Sequence, residues 1–336
     1  MKLFSSICKA GGMMRLVMMG TGTFAEPTLD ALLAGPDEVV GVFTQPDRDT
    51  GTKRGSTRQV GRGMKEIAGE RNIPVFQPES VNTPEGVAML RGLSPDLLVV
   101  AAYGQILSTE VLGVPTAGAI NVHGSLLPRY RGAAPVAAAI LNGETEAGVT
   151  IIRISAGLDA GDMLAKGSLP VNEDTAGELE ARLAPLGAQL AVETIARMKQ
   201  GPVTGEKQDK ALVTKAPKLK KEDGLIDWSK PAGRVVRQIR AMQPWPTAYT
   251  FLHRVGKPAI RLMITRASEI TPTSSGMTGS MFVDEAGMLV IRAGENTAVQ
   301  IVQLQPAGKK RMPSKEFLRG HPCGEDDRVG PEESHA

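Results

Sequence analysis

Short apolar runs recur along the first half of the chain, with amphipathic stretches between them. The apolar runs occupy residues 15–20, 39–44, 74–77, 96–103 and 119–123. The amphipathic stretches have helical spacing and occupy residues 25–35, 61–72 and 133–143. Strands that are apolar at nearly every position must be covered on both faces, so this alternation predicts a parallel sheet with helices on each side.

A hairpin and a long helix are predicted to complete this first domain. Residues 148–155 and 162–171 have the composition of two strands, and the sequence AGLDAG between them supplies the glycines of a turn. Residues 174–201 have the apolar spacing of one amphipathic helix, with Asp174 or Thr175 as its cap. We therefore expect a Rossmann-like α/β domain over residues 14–201.

The second half of the chain differs from the first in composition and in hydrophobic pattern. Residues 202–224 are rich in Lys, Thr and Pro and lack sustained periodicity, which is typical of a linker. A short helical pattern at 232–242 precedes several short strands separated by Gly and Pro, which predict a small antiparallel, OB-like barrel. The predicted boundaries are an N-terminal extension (1–13), the α/β domain (14–201), a basic linker (202–222), the barrel (223–320) and an acidic tail (321–336).

Composition is that of a globular protein, with 41% apolar and 22% charged residues. No apolar run approaches the roughly 20 residues of a membrane helix, so we expect no membrane segment. Residues 1–14 loosely resemble a signal peptide, but Lys9 interrupts a short apolar stretch. A disordered extension before a start near Met13 or Met14 is the simpler interpretation. The two cysteines, Cys8 and Cys323, cannot build a disulfide framework or a metal cluster, which favours a reducing cytoplasm.

Charge is spread unevenly, although the net charge is only +3. Residues 1–200 hold 18 Lys and Arg against 21 Asp and Glu, whereas residues 201–320 hold 20 against 10. A basic second half indicates either a polyanionic partner or a basic surface that is merely solvated, and charge alone does not decide between them.

A glycine-rich turn follows the first apolar run. Gly20, Gly22 and Ala25 match the pattern Gly-x-Gly-x-x-Ala, and Asp47 stands roughly where a dinucleotide-binding domain has its ribose-binding acid. Tight turns between strand and helix favour glycine in any parallel sheet, and the Gly/Arg/Lys loop after residue 44 would crowd an adenosine ribose. A nicotinamide-dependent oxidoreductase is therefore an alternative that we disfavour.

Asn121 and His123 end the fifth apolar run, one residue apart. Alternation along a strand places both side chains on one face, at the carboxyl end of the predicted sheet, where α/β proteins bind ligands. An amide that donates to a developing oxyanion, beside an imidazole that exchanges protons near neutral pH, suits acyl transfer. The alternative is a histidine held by local backbone.

Asp159 lies in the predicted turn between Gly157 and Gly161. The glycines allow a tight backbone and a close approach to a planar ligand. A carboxylate near His123 would orient the ring and stabilise an imidazolium. The alternative is an ordinary turn aspartate.

Three stretches contain most of this chemistry: NVHGSLLPRYRGAAPV, GVTIIRISAGLDAGDML and GVFTQPDR. Together they closely resemble the methionyl-tRNA formyltransferases, members of the wider family of 10-formyltetrahydrofolate-dependent formyltransferases. The resemblance covers about residues 14–318 and extends to IDWSKPAGRVVRQIRAMQPWPTAY and LQPAGKKRM in the second domain. In that family the Asn-x-His…Asp set is catalytic, and the Rossmann-like sheet binds no dinucleotide.

The resemblance implies a reaction and a role for each residue. A formyl group moves from the co-substrate 10-formyltetrahydrofolate to the free amino group of methionyl initiator tRNA, without a metal. Asn121 and His123 stabilise the oxygen of the tetrahedral intermediate, and Asp159 stabilises the imidazolium or relays a proton through water. Four residues of the turn are expected to line the folate site: Ser125, Leu126, Leu127 and Pro128. We expect a cytoplasmic monomer.

One departure from the family concerns the loop after QPDR, which usually reads PAGRGKKL and here reads DTGTKRGSTRQV. Lys53 or Arg54 would stand in for the family's arginine there. A formyltransferase acting on an amino sugar nucleotide is the alternative enzyme, and an RNA-binding protein on an inactive scaffold is the non-enzymatic one. The basic second half argues against the first alternative, and the complete Asn121, His123 and Asp159 set argues against the second.

Overall fold

The computed structural model describes residues 12–47, 61–272 and 275–332. The chain folds into two compact units, each of which makes most of its residue contacts within itself. The first unit falls within Met1–Val136, Thr145–Val171 and Glu178–Lys218, and the second within Ala137–Glu144, Asn172–Gly177 and Leu219–Ala336. Most of the predicted N-terminal extension lies outside the described residues.

A seven-stranded sheet forms the centre of the first unit. Its strands are β1 (Arg15–Gly20), β2 (Glu38–Phe43), β3 (Val75–Phe76), β4 (Leu97–Ala101), β5 (Ala119–His123), β7 (Glu146–Arg153) and β8 (Met163–Pro170). The spatial order is β3-β2-β1-β4-β5-β7-β8. The first five are parallel, and β7 pairs antiparallel with both β5 and β8. The predicted parallel sheet and hairpin are confirmed.

The helices of this part of the chain follow the predicted order. They are α1 (Glu26–Ala34), α2 (Met64–Gly69), α3 (Pro84–Gly92), α4 (Thr109–Leu112), α5 (Pro135–Leu141) and α6 (Ala176–Gln200). Periodicity did not predict α3 and α4, which are set by their caps: Thr83 Oγ1 accepts from the Gly86 amide, and Ser108 Oγ from the Val111 amide. Strands β1 and β4 are almost entirely buried, as their apolar sequences require.

The glycine-rich turn after β1 has a packing explanation. A Cβ on Gly20 would lie 2.6 Å from the Ala25 Cβ and 2.9 Å from the Ala101 carbonyl oxygen, and Gly22 has a φ of 76°. Asp47 accepts hydrogen bonds from Lys65 Nζ at 3.0 Å and Gln77 Nε2 at 3.2 Å. The Lys65 hydrogen bond lowers the pKa of Asp47. These residues are therefore used within the fold, and the dinucleotide hypothesis loses its support.

The second unit is built around a second, wholly antiparallel sheet. Its elements are α7 (Ala232–Ala241), β10 (Tyr249–Arg254), β11 (Lys257–Ile270), β12 (Met281–Val283), β13 (Leu289–Arg292), β14 (Ala298–Pro306), β15 (Met312–Pro313), α8 (Ser314–Gly320) and β16 (Arg328–Gly330). The order is β12-β13-β14-β11-β10-β16, with β15 on β14. A bridge between Ser280 and Arg328 links the two edges, so the sheet forms a nearly closed barrel, as predicted.

Two segments differ from the predicted loop and tail. Lys215–Ala216 forms a strand, β9, that pairs in parallel with β6 (Arg131–Gly132), so much of the predicted linker belongs to the first unit. A 3₁₀ turn, Lys210–Leu212, lies just before β9. In the predicted acidic tail, β16 pairs with β10. Both segments owe their order to pairing with distant strands, which local sequence does not reveal.

No helix among the described residues is long and apolar enough to cross a membrane.

Candidate active site

Strand β5 brings Asn121 and His123 to one end of the sheet. It lies between β4 and β7, so both edges of its backbone are paired. His123 is 5% exposed and Asn121 is partly buried. Val122, between them, is buried on the opposite face, as strand alternation requires.

Asp159 lies in the loop between β7 and β8 and reaches both of these side chains. Its Oδ1 is 3.4 Å from Asn121 Nδ2, and its Oδ2 is 3.6 Å from His123 Nδ1. Oδ2 also accepts a hydrogen bond from the Gly132 amide at 2.9 Å. The structure thus brings together the three residues that the sequence predicted as catalytic; their roles in a reaction stay a prediction.

Two acceptors flank the imidazole of His123. Nε2 lies 2.9 Å from the Tyr130 carbonyl oxygen, while Nδ1 faces Asp159. A carbonyl can only accept, so Nε2 carries a proton and donates it. Local backbone therefore binds one ring nitrogen of His123, as the alternative interpretation expected. The other ring nitrogen faces the Asp159 carboxylate. A protonated ring can donate to both partners at once.

The turn after His123 is tied down by its own hydrogen bonds. Ser125 Oγ donates to the Arg129 carbonyl at 2.7 Å, and Thr150 Oγ1 donates to the Ser125 carbonyl at 2.7 Å and accepts from the Leu127 amide at 3.1 Å. Ser125 and Leu127 are each 2% exposed, whereas Leu126 and Pro128 are only partly buried. Leu126 and Pro128 are therefore the members of the predicted folate-binding set that present surface.

Sequence reasoning missed the contribution of the segment 206–216. Gln208 Nε2 donates to the carbonyls of Asp159 at 2.7 Å and Gly161 at 2.8 Å. Thr214 Oγ1 accepts from the Tyr130 amide at 2.8 Å. Pattern analysis could not detect these contacts, because a polar residue in a Lys-rich stretch looks the same whether or not it is buried against a distant loop. Lys53 and Arg54, expected to replace a family arginine, lie outside the described residues.

Both units resemble known formyltransferases. Family models described as "Formyl transferase" and "Formyl transferase, C-terminal domain" match residues 14–195 and 218–322. The chain is 47% identical to the methionyl-tRNA formyltransferase of Magnetococcus marinus over 317 residues, covering 94% of this chain and 98% of that protein. The chain belongs to the methionyl-tRNA formyltransferase family. A second methionyl-tRNA formyltransferase, from Citrifermentans bemidjiense, is 46% identical over 92% of this chain and 94% of its own.

Solved structures outside the methionyl-tRNA formyltransferases share the fold. An N-formyltransferase from Helicobacter canadensis, in complex with folinic acid and dTDP-3-aminofucose, matches 86% of this chain and 99% of its own at 19% identity and a TM-score of 0.61. HypX from Aquifex aeolicus with tetrahydrofolic acid matches 94% of this chain and 49% of its own at 18% identity and a TM-score of 0.60. At these identities the likeness establishes the architecture alone.

Proposed function

We propose that this chain transfers the formyl group of 10-formyltetrahydrofolate to the α-amino group of methionine carried by initiator tRNA. The observation that carries the proposal is the meeting of an amide, an imidazole and a carboxylate at the end of β5. Relatives at 47% and 46% identity bear the name of this activity, and their similarity extends over both units. An amino sugar nucleotide is a weaker candidate, because its support comes from a structure only 19% identical.

The donors at the site suit attack of an amine on a formyl carbon. As the new C–N bond forms, an electron pair moves to the formyl oxygen. Asn121 would donate a hydrogen bond to this oxygen, and His123, whose ring nitrogens face the Tyr130 carbonyl and Asp159, would stabilise its charge as an imidazolium. Because an amide NH2 has two donors, Asn121 can contact Asp159 and the oxyanion at once. The intermediate then breaks the bond to the folate nitrogen, which takes up the proton lost by the amine. The products are formylmethionyl-tRNA and tetrahydrofolate.

Asp159 would hold the imidazolium of His123 during this step, because its carboxylate faces Nδ1. The turn that begins at Ser125 would contact the folate, with Leu126 and Pro128 as its partly exposed members. We place the reaction in the cytoplasm, since two cysteines in 336 residues suit a reducing compartment, and we expect a monomer to suffice.

One assay tests the proposal. Purified protein is given 10-formyltetrahydrofolate with initiator Met-tRNA, elongator Met-tRNA or a dTDP-3-amino sugar, and the formylated product is measured. We expect turnover with initiator Met-tRNA, much less with elongator Met-tRNA, and none with the sugar. Formylation of the sugar but not of either tRNA would overturn the proposal.

A further inference from the structure

Gln208 uses its whole hydrogen-bonding capacity on the loop that carries Asp159 and on a neighbouring strand. Its Nε2 donates to the carbonyls of Asp159 at 2.7 Å and Gly161 at 2.8 Å. Its Oε1 accepts from Arg131 Nε at 3.0 Å and Nη2 at 2.7 Å. Carbonyls only accept and a guanidinium only donates, so the amide has one sensible orientation.

The loop that carries Asp159 needs such an anchor. Asp159 has a φ of 47°, in the left-handed region that residues with a side chain adopt much less readily than glycine. The preceding residues, 155–158, are exposed, so they provide little packing to hold it. On the other side, Gly161 abuts β7 so closely that a Cβ would overlap the Arg153 carbonyl oxygen. The Gln208 amide thus holds the Asp159 backbone from outside the loop.

The same glutamine reaches the strand that binds the Asp159 carboxylate. Arg131 and Gly132 form β6, and the Gly132 amide donates to Asp159 Oδ2 at 2.9 Å. Gln208 therefore links the main chain of Asp159 to one end of β6 while the side chain of Asp159 is bound at the other. This closed arrangement sets where the carboxylate lies relative to His123 and Asn121.

We propose that Gln208 is a positioning residue for Asp159 in formyl transfer. Its side-chain hydrogen bonds go to Arg131 and to the carbonyls of Asp159 and Gly161, so it acts through the backbone of Asp159. The inference rests on the proposed function, because it takes the Asp159 carboxylate as part of the catalytic set.

Gln208→Glu is the sharpest variant, because it keeps the shape and the acceptor for Arg131. The second carboxylate oxygen would then face the two carbonyls without a proton to donate, so the anchor becomes repulsive. Gln208→Leu removes both halves of the contact. For each variant we expect kcat to fall by roughly 10- to 100-fold, because small misplacements of catalytic groups cause losses of this size. The KM for Met-tRNA and for the folate donor should stay within about twofold, because the Gln208 side chain makes its four hydrogen bonds within the protein.

Gln189→Leu is the matched control. Gln189 is exposed on α6 and binds the Glu193 side chain four residues away, so we expect its loss to leave kcat unchanged. A merely structural role for Gln208 would lower thermal stability without changing kcat of the folded fraction. Unchanged kcat in folded Gln208→Glu and Gln208→Leu would overturn the proposal.

Amide hydrogen exchange tests positioning without any turnover. In Gln208→Glu the Gly132 amide, which donates to Asp159, should exchange at least about tenfold faster, because local opening becomes easier. The Gly86 amide, which donates to Thr83 in α3, should not change. If the Gly132 amide exchanged at the wild-type rate in Gln208→Glu, the positioning role would be excluded, even if the enzyme were active. A wild-type protein that formylates no tRNA would instead sink the proposed function, and faster exchange would still support the placement of Asp159.

Discussion

The Asp159 carboxylate connects its own loop, between β7 and β8, to strands β5 and β6. Oδ1 faces Asn121 on β5, while Oδ2 faces His123 on the same strand and accepts from Gly132 of β6. The side chain is 12% exposed, so water screens these interactions weakly. Its charge and its shape therefore contribute separately, and they can be tested separately.

Replacing Asp159 by Asn keeps the shape and removes the charge. An Asn side chain can still accept from the Gly132 amide, but it no longer stabilises a protonated His123. We expect kcat to fall by about 100- to 1,000-fold, similar to the loss of one oxyanion donor, with circular dichroism unchanged. Steady-state formylation of Met-tRNA measures this effect.

The control for this substitution is Asp162→Asn, three residues further along. Asp162 pairs with the exposed Lys207 at 3.0 Å, and surface ion pairs of this kind contribute little. Its kcat should stay within about twofold of wild type. Equal losses in the two variants would mean that the whole loop, and not the Asp159 charge, matters.

The sequence was sufficient for part of this site. Strand alternation placed Asn121 and His123 together, and flanking glycines marked Asp159 as a turn residue. Gln208 could not be found this way, because it acts through main-chain carbonyls 49 and 47 positions away. A carbonyl is present at every residue, so such a contact leaves no compositional trace.

At the scale of elements, local sequence predicted whatever is long and strongly patterned. Strands β1 and β5 match their predicted bounds, and α6 differs by two residues at its start and one at its end. Elements that exist only through pairing were missed, namely β6, β9, β15 and β16. Two or three residues cannot specify a strand by alternation, so their conformation depends on tertiary contacts.

Strand β16 gives an element-scale prediction. Val329 is 5% exposed, pairs with Leu252, and donates its amide to the Gly279 carbonyl at 2.8 Å. Val329→Asp would bury a charge at this edge, and we expect the free energy of unfolding to fall by more than about 2 kcal/mol. Urea denaturation followed by tryptophan fluorescence measures the loss.

Val283→Asp is the matched control on the opposite edge strand, β12. Val283 is 46% exposed, so an aspartate there remains in water. The change in unfolding free energy should stay within about 0.5 kcal/mol, as for ordinary surface substitutions. If Val329→Asp were equally mild, β16 would contribute little to closing the barrel.

At the scale of the whole molecule, the uneven charge predicts a difference between the two substrates. Residues 201–320 hold 20 Lys and Arg against 10 Asp and Glu. Basic groups that contact RNA phosphates release counterions, so the affinity for tRNA should fall steeply with salt, by about 0.7–0.9 log units per contact and decade of salt. A folate is a small anion, and its binding should depend on salt much less. We expect the KM for Met-tRNA to rise with salt far more than the KM for the donor.

Lys309 and Lys310 are the residues to neutralise, since both are exposed in the turn after β14. The double variant Lys309→Gln/Lys310→Gln should reduce the slope of log KM for tRNA against log salt by the amount expected for the loss of one or two phosphate contacts. Arg71→Gln, an exposed change in the first unit, should leave the slope unaltered. Equal slopes for tRNA and folate in the wild type would mean that the basic half is only a solvated surface.

The pairing of β9 with β6 also decides where this protein can be divided or recombined. A fragment that stops after Gln200, at the end of α6, discards Gln208, Thr214 and β9, although these residues complete the surroundings of Asp159. A hybrid that takes its barrel from another relative would join mismatched partners if the exchange were made there. A junction after Lys218, where the last segment of the first unit ends, keeps Gln208, Thr214 and β9 together with Asp159.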